Sequence, residues 1–160
     1  MRPVRLTPEL VAAMRRHARS TYPAECCGYL LAPAEIDRRP GARTVTGIEA
    51  ASNEYPGERN RRFEIRPEEL RAVERRLEEA NQLVAGFYHS HPDHPARPSA
   101  FDEEHAWPWY TYVILSVSAT EAPAIAAFEL DAESGRFREV PLEIVPSSDG
   151  GKVNPPPARR

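Results

Sequence analysis

Three apolar runs of strand length, 26–32, Leu83 to Ser90 and Tyr110 to Val117, fix most of what this chain can become. Tyr110 to Val117 is the most strongly β-forming and is expected at the centre of a sheet. Two amphipathic helices are interleaved with these runs. Thr7-Pro8-Glu9 reads as N-cap, first-turn proline and first-turn acid, and Leu10, Val11, Met14 and Ala18 mark one apolar face that ends before Pro23. Pro67-Glu68-Glu69 opens the second helix, with Leu70, Val73, Leu77 and Ala80 at spacings of three and four. Arg43 to Ala50 alternates and is expected to pair with the first strand, and Phe63-Glu64-Ile65 reads as a short strand. Ser99 to His105 reads as a short helix. Ala124 to Leu130 and Arg136 to Val145 flank Glu133-Ser134-Gly135 as a hairpin. The predicted fold class is α/β, with a mixed, mainly antiparallel sheet flanked by helices.

A chain of 160 residues argues for one domain, long enough to bury a core without disulfides or a structural metal. The domain is expected over 1–145, and 146–160, with Pro155-Pro156-Pro157, as a flexible Pro-rich tail. Hydrophobic residues make up 41% and charged residues 28%, a soluble balance rather than a disordered one. The net charge of −3 leaves no electrostatic footprint for nucleic acid. No apolar run of about 18 residues is present, which argues against a membrane span. The first residues, Met1-Arg2-Pro3-Val4-Arg5, lack an apolar stretch of signal-peptide type. The two cysteines, Cys26 and Cys27, are adjacent, and a disulfide between neighbours would be strained. A reducing cytoplasm is the expected setting.

Four of the five histidines fall between residues 89 and 105. His89 and His91 stand at i and i+2 near the end of a predicted strand, so both imidazoles leave the same face. Pro92 then ends the strand and is expected to present them at a sheet edge. Two imidazoles can give two nitrogen ligands to Zn²⁺, and a catalytic site needs a third ligand and an open position. Asp102 is the leading candidate, because it lies in the first turn of the short helix that follows Ser99. Ser99-x-x-Asp102 is equally an ordinary capping pattern, and the two uses can coexist. Ser90 points to the opposite face and is expected to support the fold. His94 is expected to be solvated, and His105 is a candidate for orienting a ligand. Trp107, Trp109 and Tyr110 are expected in the core or in a groove wall.

The string His89-Ser90-His91, seven residues, Ser99, two residues, Asp102 resembles the signature of the JAMM metalloproteases, also called the MPN-plus family. That family's pattern includes a glutamate well upstream, for which Glu25 in Tyr22-Pro23-Ala24-Glu25-Cys26-Cys27-Gly28 is the match. Element order extends the resemblance over roughly residues 5–145, and the closest likeness is to the compact bacterial members. The resemblance implies an MPN fold of cytidine-deaminase-like architecture. It also implies one Zn²⁺ per chain held by His89, His91 and Asp102. By the same resemblance Glu25 is the general acid and base. A hydrolysed amide develops negative charge on its carbonyl oxygen, and Ser99 is the expected hydrogen-bond donor to it. Taken without the histidines, Glu25 would read as a surface acid at a helix–strand turn.

The implied substrate is an amide bond at the C-terminal Gly-Gly end of a ubiquitin-like or sulfur-carrier protein, cut to process the carrier or to release cysteine. An isopeptidase of a bacterial ubiquitin-like conjugation system is the second reading. A catalytically inactive MPN scaffold is a third, of another class. The short stretch between Asp102 and the next strand leaves no room for a long ubiquitin-gripping insertion, which favours a small carrier. A rival local pattern, His89-x-His91-x-Asp93-His94, fits the metallo-β-lactamase motif, but no histidine follows His105 to complete it. The two patterns name different acids, Asp102 and Asp93.

Overall fold

The computed structural model describes residues 2–38, 40–120, 124–147 and 152–153. Its elements in chain order are β1 (Val4–Leu6), α1 (Pro8–Thr21), β2 (Cys27–Pro33), α2 (Ala34–Asp37), β3 (Arg43–Thr44), β4 (Gly47–Ala51), α3 (Pro67–Glu79), β5 (Gln82–Pro92), α4 (Ala100–Glu104), β6 (Thr111–Val117), β7 (Ile125–Leu130), β8 (Phe137–Val140), β9 (Leu142–Ile144) and β10 (Lys152–Val153). Seven strands form the main sheet in the order β10-β4-β2-β5-β6-β7-β8, and β3-β1-β9 form a small parallel sheet. Within the main sheet β2–β4, β2–β5, β6–β7 and β7–β8 are antiparallel, so the sheet is mixed but mainly antiparallel, as expected. No helix among the described residues is long and apolar enough to cross a membrane.

The period-two alternation of the central strands divides the core in two. On one face Leu30, Tyr88, Val113 and Leu115 pack against Leu10, Met14 and Ala18 of α1. On the other, Tyr29, Leu31, Phe87, Tyr112 and Ile114 pack with Val73 and Leu77 of α3. Thr7 caps α1 through its side chain, which accepts from the Leu10 N–H, and Pro8 opens that helix as its sequence dictates.

β5 and β6 pair in parallel, in register from Gly86↔Thr111 to Pro92↔Val117. A parallel pair cannot be closed by a hairpin, so the chain must cross over a face of the sheet between them. That crossover carries α4, and α4 carries Asp102. The approach of β5 to β6 is close at Gly86, where an added Cβ would stand 1.8 Å from the Thr111 carbonyl oxygen. Only glycine fits there.

Several expectations need correction. β5 is an interior strand that continues through Pro92, so the histidines sit at the end of a central strand rather than at a sheet edge. Arg43 to Ala50 divides: β3 joins β1, and only β4 pairs with β2. The break follows from the hydrogen bonds, because Val45 N–H donates to Arg5 while Thr46 N–H donates to Leu31. The second arm of the predicted hairpin divides likewise, with β8 on β7 and β9 on β1. Phe63-Glu64-Ile65 forms no strand. Trp107 and Trp109 are 44% and 64% exposed rather than core, but Trp107 takes the expected place in a groove wall, lining a cavity with Phe63 and Phe101, and Tyr110 packs against the core on the α3 side. Ala80 is exposed at the end of α3. Most of 146–160, expected as a tail, lies outside the described residues; within it, Lys152–Val153 pair in parallel with Gly47–Ile48.

Candidate metal centre

His89 and His91 leave β5 on the α3 side of the sheet, and Ser90 leaves it on the α1 side. The Ser90 hydroxyl accepts from the buried Cys26 N–H at 2.8 Å, and the Ser90 N–H donates to the Cys26 carbonyl at 3.1 Å. This stitch fixes the end of β5 to the residue that follows Glu25. Ser90 therefore has the supporting position its strand parity predicts.

Three donor side chains converge on that face. His89 Nε2 lies 3.0 Å from His91 Nε2, 3.4 Å from Asp102 Oδ1, and His91 Nε2 lies 3.3 Å from Asp102 Oδ2. One ligand atom from each of the three falls within 4.8 Å of the others. Asp102 reaches this point through its cap: Ser99 N–H donates to Asp102 Oδ2 at 2.7 Å, and Asp102 N–H donates to Ser99 Oγ at 3.1 Å. The capping box thus locks the carboxylate toward the imidazoles, and the Ser99 hydroxyl proton is left free to donate.

The imidazoles are oriented differently. His91 Nδ1 donates to the Pro95 carbonyl at 2.9 Å, which leaves its Nε2 as the lone-pair nitrogen facing the trio. His89 Nδ1 is buried without a hydrogen-bond partner among the described residues, and its ring is held by stacking on Phe63 at a centroid distance of 4.6 Å. Burial lowers the pKa of His89 against the opposing pull of Asp102. Burial also acts to lower that of His91, but hydrogen bonds to Asp102 and Pro95 outweigh it and the net direction is up. Burial acts to raise that of Asp102, and His89 and His91 together hold it well below the usual carboxylate range.

These residues fit a divalent cation. Two imidazole nitrogens and a carboxylate oxygen form a borderline-soft donor set of the kind Zn²⁺ takes in catalytic sites. With Nδ1 of His91 committed to Pro95, its Nε2 lone pair is free either to accept from His89 Nε2–H at 3.0 Å or to ligate a cation.

Glu25 lies at the junction between α1 and β2. It is 3% exposed, and its Oε2 has no hydrogen-bond partner among the described residues. Its backbone is pinned from the 52–62 loop: Glu25 N–H donates to the Arg59 carbonyl at 2.6 Å, and Asn53 Nδ2 donates to the Glu25 carbonyl at 3.2 Å. Glu25, His91 and Ser99 line one cavity of about 420 Å³. Burial pushes the Glu25 carboxyl up to about 8; His91 pulls it down and Asp102 adds to the rise.

The other candidates are not among the three converging donors, although His105 lines a cavity with His89 and Asp102. Asp93 has φ of 58° and accepts from the Tyr22 hydroxyl at 2.8 Å, away from the trio. His105 is exposed; its Nδ1 donates to the Phe101 carbonyl and its ring stacks on Phe101. His94 is exposed, at the rim of the Glu25 cavity. Cys26 and Cys27 are buried free thiols, and burial raises the pKa of both. Sequence reasoning missed Asn53, Pro95 and Phe63. Asn53 also accepts from Tyr55 N–H and Glu64 N–H, so it organises the whole loop. Its turn-forming side chain in a Pro-Gly-rich segment was the one available signal.

The model of the prokaryotic homologs of the JAB domain matches residues 7–131. The desampylase of Haloferax volcanii is 38% identical over 108 residues, covering 67% of this chain and 73% of that protein. The CysO-cysteine peptidase of Mycobacterium tuberculosis is 30% identical over 138 residues, covering 86% of this chain and 88% of that protein. Two solution structures share the fold. A Desulfitobacterium hafniense protein superposes with a TM-score of 0.77 at 26% identity, covering 91% of this chain and 95% of its own. A Salinibacter ruber protein superposes at 0.64 with 36% identity, covering 94% of each.

Proposed function

Because the chain belongs to the prokaryotic JAB-domain family and is a JAMM-type peptidase, we propose that it hydrolyses an amide bond at the C-terminal Gly-Gly end of a ubiquitin-like or sulfur-carrier protein. His89, His91 and Asp102 hold one Zn²⁺ in this reading. The observation that carries it is the convergence of those three donors beside a cavity that Glu25 and Ser99 also line. Zinc bound there supplies Lewis-acid polarisation of a carbonyl and acidifies water.

The chain's own residues supply the proton traffic. Glu25 takes the proton from the attacking water and returns it to the leaving amine. Its burial supports this in direction, since loss of water raises the carboxyl toward neutrality while a cation held beside it would oppose that rise, which suits a group that must both take and return a proton. Ser99 donates its hydroxyl proton to the carbonyl oxygen as negative charge develops there, while its Oγ still accepts from Asp102 N–H. An extended glycine tail suits a site sunk at the end of a central strand, because glycine lets a backbone approach closely. The buried free thiols of Cys26 and Cys27 support a cytoplasmic setting. The similarity to a desampylase supports a second reading, an isopeptidase of a ubiquitin-like conjugation system.

The test is to incubate zinc-loaded protein with Gly-Gly-ending carriers from its own genomic neighbourhood and locate the cut by mass spectrometry. Cleavage directly after Gly-Gly is expected, abolished by chelation and restored by Zn²⁺. Glu25→Gln is expected to keep the metal and lose the cut. Wild-type cleavage by Glu25→Gln would remove the assignment.

A further inference from the structure

Two cavities flank the trio, and they differ in kind. One, about 290 Å³, lies beside His89 and Asp102 and is walled by Phe63, Ile65, Phe101 and Trp107. The other, about 420 Å³, contains Glu25, His91 and Ser99, and its rim carries Arg61, Arg97 and His94. Glu25 is the sole acid among the described residues lining it. Its volume is at the small-molecule end of ligand sites.

The arginines of this region are not equivalent. Arg59 Nε donates to the Tyr55 carbonyl at 2.9 Å. Arg62 donates to the Tyr55 hydroxyl at 2.9 Å and lies 4.8 Å over the Phe101 ring. Both hold the loop together. Arg61 makes only a 4.0 Å approach to Glu58, and both side chains are largely exposed, so the pair is worth little. The Arg97 guanidinium has no hydrogen-bond or ion-pair partner among the described residues. Two uncommitted guanidinium forks therefore border the cavity that also holds the acid–base carboxyl. A guanidinium presents paired N–H donors matched to a carboxylate.

We propose that Arg97, with Arg61, binds the free α-carboxylate of the released group, so that the leaving group is a single C-terminal amino acid rather than a lysine side chain of a protein. This rests on the peptidase reading above and names its substrate class. Water adds to the glycine carbonyl carbon and the C–N bond breaks. The water oxygen stays on the new glycine carboxylate, and the nitrogen leaves protonated as a free amino acid. A lysine isopeptide has no carboxylate next to its scissile bond and cannot engage this pair of arginines in the same way.

The test compares three synthetic substrates with the zinc-loaded protein: a peptide ending Gly-Gly-Ala as free acid, the same peptide as carboxamide, and Gly-Gly joined to the Nε of a lysine peptide. The free acid is expected to exceed the carboxamide about tenfold or more in kcat/KM, mainly through KM, the worth of a charge-assisted hydrogen bond. Arg97→Gln is expected to collapse that ratio toward one, and Arg97→Lys to restore part of it. Equal kcat/KM for acid and carboxamide, or a ratio unmoved by Arg97→Gln, would overturn the proposal. Calorimetric binding of the acid and the carboxamide to Glu25→Gln tests the same point without turnover. If neither these peptides nor a Gly-Gly-ending carrier is cut, the peptidase reading is what fails. Equal affinity for acid and carboxamide overturns the carboxylate site in that case too.

Discussion

His91 Nδ1 donates to the carbonyl of Pro95 at 2.9 Å, and this single bond decides which imidazole nitrogen faces Asp102. Pro95 lies in the crossover that the parallel pairing of β5 and β6 requires. The strand register and the ring tautomer are thus set by one segment of chain. A metal ligand with its second nitrogen committed in this way is both oriented and made more basic.

Removing a donor should remove the ion. Asp102→Ala is expected to lower zinc content from about one per chain to near zero, with activity falling at least 10²-fold. Asp93→Ala, which loses only the Tyr22 contact, is expected to keep both. Elemental analysis of the two purified variants checks this, and the opposite pattern would favour the Asp93-based motif.

Ser90→Ala leaves the buried Cys26 N–H without its acceptor. The expected loss is about 1–3 kcal/mol of stability, read as a lowered midpoint in denaturant at unchanged m-value. Activity should fall as well, because Cys26 adjoins Glu25. A midpoint within error of wild type would show that the stitch carries no weight.

In metal-free protein, Glu25 gives stability a pH slope. Its folded pKa, raised to about 8 by burial first and by Asp102, lies above the ordinary 4.5. Above pH 4.5 the unfolded chain releases this proton before the folded one does, so stability falls as pH rises through 8. The contribution is fully present below 4.5. Glu25→Gln lacks the slope, and its advantage over wild type should grow across this window to the order of a few kcal/mol and then level off. Thermal melts of both proteins in chelator from pH 4 to 9 measure it. Parallel curves would refute the burial argument.

Gly86→Ala places a methyl group against the Thr111 backbone, not against a side chain that can turn away. The β5–β6 pairing must then shift. A loss of about 3 kcal/mol or more is expected, with reduced zinc affinity because His89 and His91 ride on the same strand. Thermal denaturation and zinc titration of the variant check both.

The sequence by itself determined the elements whose signals are local. Thr7 with Pro8 and the i, i+3, i+4 apolar face specify α1, and strand parity places His89 and His91 together with Ser90 opposite. The spacing of Ser99 and Asp102 specifies the capping box, which is a contact between near neighbours. Tertiary structure alone decided what depends on long-range pairing. Whether Arg43 to Ala50 served one sheet or two rested on Arg5 and Leu31 competing for neighbouring N–H groups. The burial of Glu25 depends on a loop anchored by Asn53, and the meeting of Asp102 with the histidines depends on a parallel crossover. Periodicity reports which side of an element is apolar, but not which distant element will cover it, and a buried charge is created by that covering.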